Sequence, residues 1–304
     1  MTALVADAVR EAGRERAAPR PAWRRLRRDR SALLAIALLA GVAAFALLAP
    51  VWASWTGHPY DATFPRTGLD EVGRPAGPGR EFWLGADQLG RDVLVRAAYG
   101  ARISLLVGIA SAALAAALGV VVGVAAGFLG GAADSVLARA MDVVLALPSL
   151  LVAILLATAV GGGVALTVGV IAFFSFAACG RVIRGQVLSL REMEFVEAAR
   201  ALGAGRTQIM AREILPNLVA PITVLTSLLV PGAIMFEATL SFLGAGVRPP
   251  MPSWGSMLGE GAGALEGAWW LLAVPASLLA STTLAFTLLG DAVRDALDPR
   301  TGRR

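Results

Sequence analysis

From Val143 to Gly180 the chain runs for 38 residues without an Asp, Glu, Arg, Lys or His. As a single helix that block would be roughly 57 Å long, nearly twice the roughly 30 Å hydrocarbon core of a bilayer. The triplet Gly161-Gly162-Gly163 sits near its middle, where the tip of a hairpin belongs. Two membrane spans joined by a tight turn are the economical solution. Four more uncharged blocks have spanning length: Ser31 to about Ser54, Ile103 to Ala133, Leu218 to Phe236, and Ala268 to Gly290. The composition agrees, with 57% hydrophobic and only 16% charged residues, against about a quarter charged in soluble domains. The expected fold is all-α and polytopic, with six transmembrane helices.

Every basic residue is an arginine, and the arginines cluster beside the apolar blocks. That distribution fits orientation by the positive-inside effect better than a nucleic-acid-binding face. Residues 1–30 form a basic arm, too long and too charged for the n-region of a secretory signal, and no A-x-A-like cleavage site follows the apolar run. Residues 31–54 then read as the first span. Residues 55–102 alternate Pro, Gly and charge, so helix is not expected until after Pro78, and this loop is placed outside. Residues 103–290 hold the other five spans, with a polar cytoplasmic segment at about 190–216, and residues 291–304 form a cytoplasmic tail. Six crossings put both termini and the arginine-bearing inner loops on one side.

Chemistry-bearing residues are few. The single cysteine, Cys179, lies in an apolar run and reads as a small buried hydrophobe. The single histidine, His58, follows Gly57 and reads as a solvated loop residue. There is no Cys pair and no G-x-x-x-x-G-K-[ST] phosphate loop, so any ATP must be hydrolysed by another chain. An intramembrane protease or quinone-linked subunit would need ligands or acid–base groups within the spans. Glu237, at the end of the fifth span, is either an intramembrane acid with a gating or packing role or a residue at the outer interface.

The segment from Glu194 to Asn217 is the most informative. Phe195, Ala198, Ala199 and Leu202 fall at i, i+3, i+4 and i+7, one face of a short helix. Gly203 and Gly205 interrupt it, a second short helix carries Ile209, Met210 and Ile214, and Pro216 stops the pattern. Periodicity leaves two readings: an ordinary amphipathic surface loop, or a helix–turn–helix that offers its alanines to a partner.

The spacing of Glu197, Ala198, Ala199, Gly203, Leu215 and Pro216 resembles the "EAA" loop of ABC importer permeases. One departure is visible, since a His often stands where this chain has Glu213. Other pieces are similar to the dipeptide, oligopeptide and nickel permeases of that family. They are Leu84 to Val93, Tyr99 to Leu105, Leu240 to Gly244, Pro252-Ser-Trp-Gly255, and Leu289 to Pro299. The likeness runs from about Trp23 to Arg300, and the long N-terminal arm with its WGSML-type outer loop fits the second, C-type subunit.

The resemblance implies the fold of a type I ABC importer permease in a bacterial cell membrane. It implies a second homologous permease, two ATP-binding subunits and an extracytoplasmic solute-binding protein as partners. Glu197, Ala198, Ala199, Gly203, Glu213, Leu215 and Pro216 would form the ATPase-docking loop. No cofactor would be bound by this chain, with ATP and Mg²⁺ used by the partner subunits. Dipeptides or oligopeptides lead as substrate, with nickel chelates, glutathione or another small solute as alternatives. A self-contained secondary transporter or channel is the rival from a different class; it predicts charges or a repeat within the spans and gives no reason for a docking loop.

Overall fold

The computed structural model describes residues 29–264 and 267–297; the basic arm before residue 29 and the end of the tail lie outside the described residues. Helices account for the architecture, and the described residues contain no strand, only isolated bridges at Leu69–Pro75 and Ala86–Asp92. Five helices are long and apolar enough to cross a membrane, or six if a bent pair counts as one span.

Helix α1 spans Arg30–Leu47, and the Asp29 carboxylate caps it by accepting from the Ser31 amide at 2.9 Å. The chain jogs at Leu48, and α2 (Ala49–Thr56) restarts with a proline in its first turn, where a missing N–H costs nothing.

Helix α3, Val93–Leu129, has 37 residues and begins ten residues before the uncharged block at Ile103. Its two early arginines find partners within the protein. Arg102 reaches across to donate to the Ala46 and Leu47 carbonyls at 2.6 and 2.7 Å, closing the C-terminal end of α1. Arg96 is 1% exposed and pairs with Asp87 and Glu260 at 3.3 and 2.9 Å. Arg91 bridges the same two carboxylates, so two arginines and two acids alternate in one cluster. Asp92 caps α3 by accepting from the Leu94 and Val95 amides.

His58 departs from its reading as a solvated loop residue. It is buried, with Nδ1 2.9 Å from Asp92 Oδ2 and its ring stacked on Phe82 and tilted against Phe64. The loop between α2 and α3 folds back over the start of α3, and the ring lies between two phenylalanines.

The bundle is centred on α3 and α6 (Val164–Leu190). Gly119, Gly123 and Gly127 recur every fourth residue on α3, where a Cβ would lie 2.8, 2.6 and 2.7 Å from atoms of Cys179, Gly180 and Val187. With no side chains in the way, the two backbones come into contact, as in small-residue packing between membrane helices. Cys179 is buried in this seam, and burial there fits its reading as a small hydrophobe.

Between α3 and α6 the chain does not make the straight third span expected from Val143. Helix α4 (Gly131–Ala146) continues through that point and meets α5 (Ser149–Val160) at an 81° bend. Pro148 stands at the break, and the residue before it, Leu147, is extended, as proline requires. Two ion pairs, Arg184–Asp134 and Arg181–Asp142, both 2.5 Å, hold α4 against α6. The Gly161–Gly163 tip does join α5 to α6, with φ of +90° at Gly161.

The chain then forms α7 (Glu194–Ala201), α8 (Arg206–Ile209), a π turn (Met210–Ile214) and α9 (Leu215–Phe242). An irregular segment leads to the short α10 (Trp254–Gly261), and α11 (Trp270–Leu297) closes the bundle. Trp254 is fully buried and donates from its indole to the Ala97 carbonyl at 3.2 Å, in a core shared with Val42, Ile234 and Leu279.

Candidate functional site

Two places stand out: the α7–α8 loop at one end of α9 and Glu237 at the other. Val196, Ile209 and Ile214 are 0%, 2% and 0% exposed and join Val124, Phe128, Ile183 and Val187 in one cluster. The loop is thereby seated on the ends of α3 and α6. Two arginines fasten it further. Arg191 donates to the Gly127 carbonyl at 3.0 Å, and the Arg200 guanidinium lies 5.9 Å from the centre of the Phe128 ring.

The sequence pattern placed Phe195, Ala198, Ala199 and Leu202 on one face, and the structure divides that set. Phe195 and Leu202 are 37% and 88% exposed, and Ala198 and Glu197 are exposed beside them. Ala199 is half-buried and packs inward against the loop's own cluster. The apolar arc of this eight-residue helix and its cap is therefore only partly covered, and Glu194, Glu197 and Arg200 stand exposed on the remaining sides. Val196, Ile209 and Ile214 hold the loop in place. Ile209 and Ile214 stood in the apolar pattern of the second helix, whereas Val196 was missed because nothing local distinguishes it from Phe195.

The turn is built on Gly203. Its φ is +84°, its amide donates to the Arg200 carbonyl at 3.0 Å, and the next amide, of Ala204, donates to the Ala199 carbonyl at 3.0 Å. These two bonds are the Schellman closure of a helix, which puts a left-handed residue directly after the cap.

Pro216 does not stop the helix. It stands in the first turn of α9, behind the π turn, in which the Leu215 amide donates to the Met210 carbonyl five residues back. A proline ring crowds the carbonyl four residues before it, and the wider π turn gives that carbonyl room. Helix thus continues from Arg206 to Phe242. Glu213 is half-buried with its carbonyl accepting from the Asn217 side chain at 2.6 Å, and Leu215 is 40% exposed.

Glu237 is 0% exposed and enclosed by protein. Its partners are hydroxyls: Ser104 of α3 donates at 2.9 Å and Ser241 of α9 at 2.7 Å. Ser241 was legible as the residue one helical turn on, but Ser104, 133 positions away, was not.

Residues 119–303 match the family described as binding-protein-dependent transport system inner membrane component. Residues 20–69 match the N-terminal TM domain of oligopeptide transport permease C. The chain is 39% identical to the oligopeptide transport system permease protein OppC of Haemophilus influenzae, over 97% of this chain and 93% of that protein. It is 38% identical to the dipeptide transport system permease protein DppC of Bacillus subtilis, covering 93% and 86%. It is 40% identical to OppC of Escherichia coli K12, covering 92% and 90%. Among solved structures, an inward-facing MetNI methionine ABC transporter shares the fold, with a TM-score of 0.55 at 16% identity, covering 66% of this chain and 94% of that one. A match over most of its length, at both ends and with several relatives near 40% identity, makes this chain a member of the binding-protein-dependent transport system inner membrane components, the permeases of ABC importers.

Proposed function

We propose that the chain is the C-type permease of an ATP-driven importer of dipeptides or oligopeptides. It forms the translocation path with a second, homologous permease, receives substrate from an extracytoplasmic solute-binding protein, and is driven by two ATP-binding subunits docked on its α7–α8 loop. The peptide assignment is supported by relatives named for oligopeptide and dipeptide transport across almost the whole chain. Hydrolysis belongs to the partner subunits, because the sequence has no phosphate-binding loop and no lysine to complete one. This chain contributes two arrangements of a helix bundle, whose balance shifts with what docks on either side.

The observation that carries the docking role is the partly covered loop. One part of its apolar arc is fixed to α3 and α6 through Val196, Ile209 and Ile214, while Phe195, Ala198 and Leu202 beside it stay uncovered, flanked by Glu194 and Glu197. An apolar patch in water is covered by a partner when one is available. Because Ala199 faces inward, Ala198 and Leu202 are the informative positions. Ala198→Trp and Leu202→Glu should leave the permease at normal membrane abundance and remove most of the ATPase that co-purifies with it. Wild-type recovery of ATPase by both variants would make the loop an ordinary surface hairpin.

A further inference from the structure

At the outer end of α9, Glu237 has no ion-pairing arginine among the described residues, and its carboxyl group is met by hydroxyl groups. Each of those hydroxyls also holds a backbone amide of the outer segment. Ser104 Oγ accepts from the Trp254 amide at 3.2 Å, and Ser241 Oγ accepts from the Val247 amide at 3.2 Å. A serine has a single hydrogen to give, and each oxygen of the Glu237 carboxyl group lies within hydrogen-bond distance of one serine. With their oxygens engaged by amides, both serines direct that hydrogen to Glu237. One carboxyl group thus sets the orientation of two hydroxyls, and the hydroxyls set two anchor points of the segment that joins α9 to α10.

The same segment lies directly on α9. A Cβ on Gly246, Gly255 or Gly259 would fall 2.1, 2.3 or 2.7 Å from Ser241 Oγ, the Ala238 carbonyl or the Phe242 carbonyl. The Gly246 carbonyl in turn accepts from the Gly163 amide at 3.1 Å, which ties the α5–α6 hairpin tip to it. At its other end α9 continues through the π turn into α8, so helix runs from the docking loop to within reach of this node.

We infer that Glu237 is a positioning residue for transport: by orienting Ser104 and Ser241 it fastens the outer segment 244–256 to α9 and α3, so that displacement of the docking loop moves the outer segment with it. The inference rests on the docking role proposed above. Glutamine keeps the shape of Glu237 but replaces one acceptor oxygen with a donor, so one serine loses its acceptor.

The test uses the complete transporter in lipid vesicles, with hydrogen–deuterium exchange followed in residues 244–256 and 194–216. Samples are compared without nucleotide and after trapping with ATP and vanadate. In the wild type both segments should change their exchange on trapping. In Glu237→Gln the docking loop should still respond and ATPase should still co-purify. The outer segment should exchange about tenfold faster at rest, as expected for a buried hydrogen-bonding group left without its partner, and should no longer respond to nucleotide. Ser104→Ala and Ser241→Ala remove one hydroxyl each and carry the same comparison if the glutamine variant fails to insert. An outer segment that responds normally in these variants overturns the inference while leaving the docking role intact. A wild-type permease that retains no ATPase overturns both.

Discussion

Gly203 shows how one backbone angle supports a larger surface. Its φ of +84° closes α7, and the direction in which α8 leaves depends on that closure. No atom crowds the space where a Cβ would stand, so the constraint is conformational and not steric packing. A β-branched residue in the left-handed region costs about 1–2 kcal/mol, concentrated in a loop whose outer face has no support from this chain. Gly203→Val is therefore expected to insert at wild-type abundance, lose ATPase on purification, and expose residues 194–206 to limited proteolysis. His58 is instructive in the opposite direction. Its neighbours Gly57 and Pro59 mark a turn, and turns are usually wet, yet Asp92 and two phenylalanines enclose it. Those partners are too far along the chain for local sequence to reveal them.

At the scale of elements, apolar block length was a good guide to the existence of spans and a poor one to their ends. Helix α3 begins well before its uncharged block because Arg96 and Arg102 find acids and carbonyls inside the protein. Charge ends a span in a sequence only when water must satisfy it. The bend at Pro148 was similarly hidden, because a proline between apolar runs fits either a kinked span or a sharp corner. The α3–α6 seam provides the sharpest element-level test. Gly123→Leu puts a branched side chain where even a Cβ would meet the Gly180 carbonyl at 2.6 Å. Overpacking of this kind costs about 1–3 kcal/mol or more, and most of the variant should be lost from the membrane fraction. Gly41→Leu on α1, where nothing lies within 4 Å, should accumulate normally.

For the whole molecule, the arginine distribution and the parity of six spans predict 55–102 and 241–266 outside, with residues 185–216 and both termini in the cytoplasm. Single cysteines on a Cys179→Ser background check this arrangement. Val72→Cys, 79% exposed, should react with an impermeant maleimide added to intact cells. Leu202→Cys, 88% exposed, should react only after the membrane is opened, and labelling of it in intact cells would reverse the topology. Of the docking loop, the sequence carried the motif and the helix–turn–helix outline. It did not carry the division between covered and uncovered faces, which depends on where the ends of α3 and α6 lie.

That division also bears on the life of the subunit before assembly. In the proposed transporter Leu202 and Phe195 stay uncovered until a partner docks, and exposed apolar side chains are what chaperones and proteases recognise in unfinished proteins. If the loop docks an ATPase, a permease made in excess of it would carry its own mark for removal, which docking would erase. The surface proposed to transmit force in the finished transporter would, during synthesis, keep the numbers of the two subunits matched.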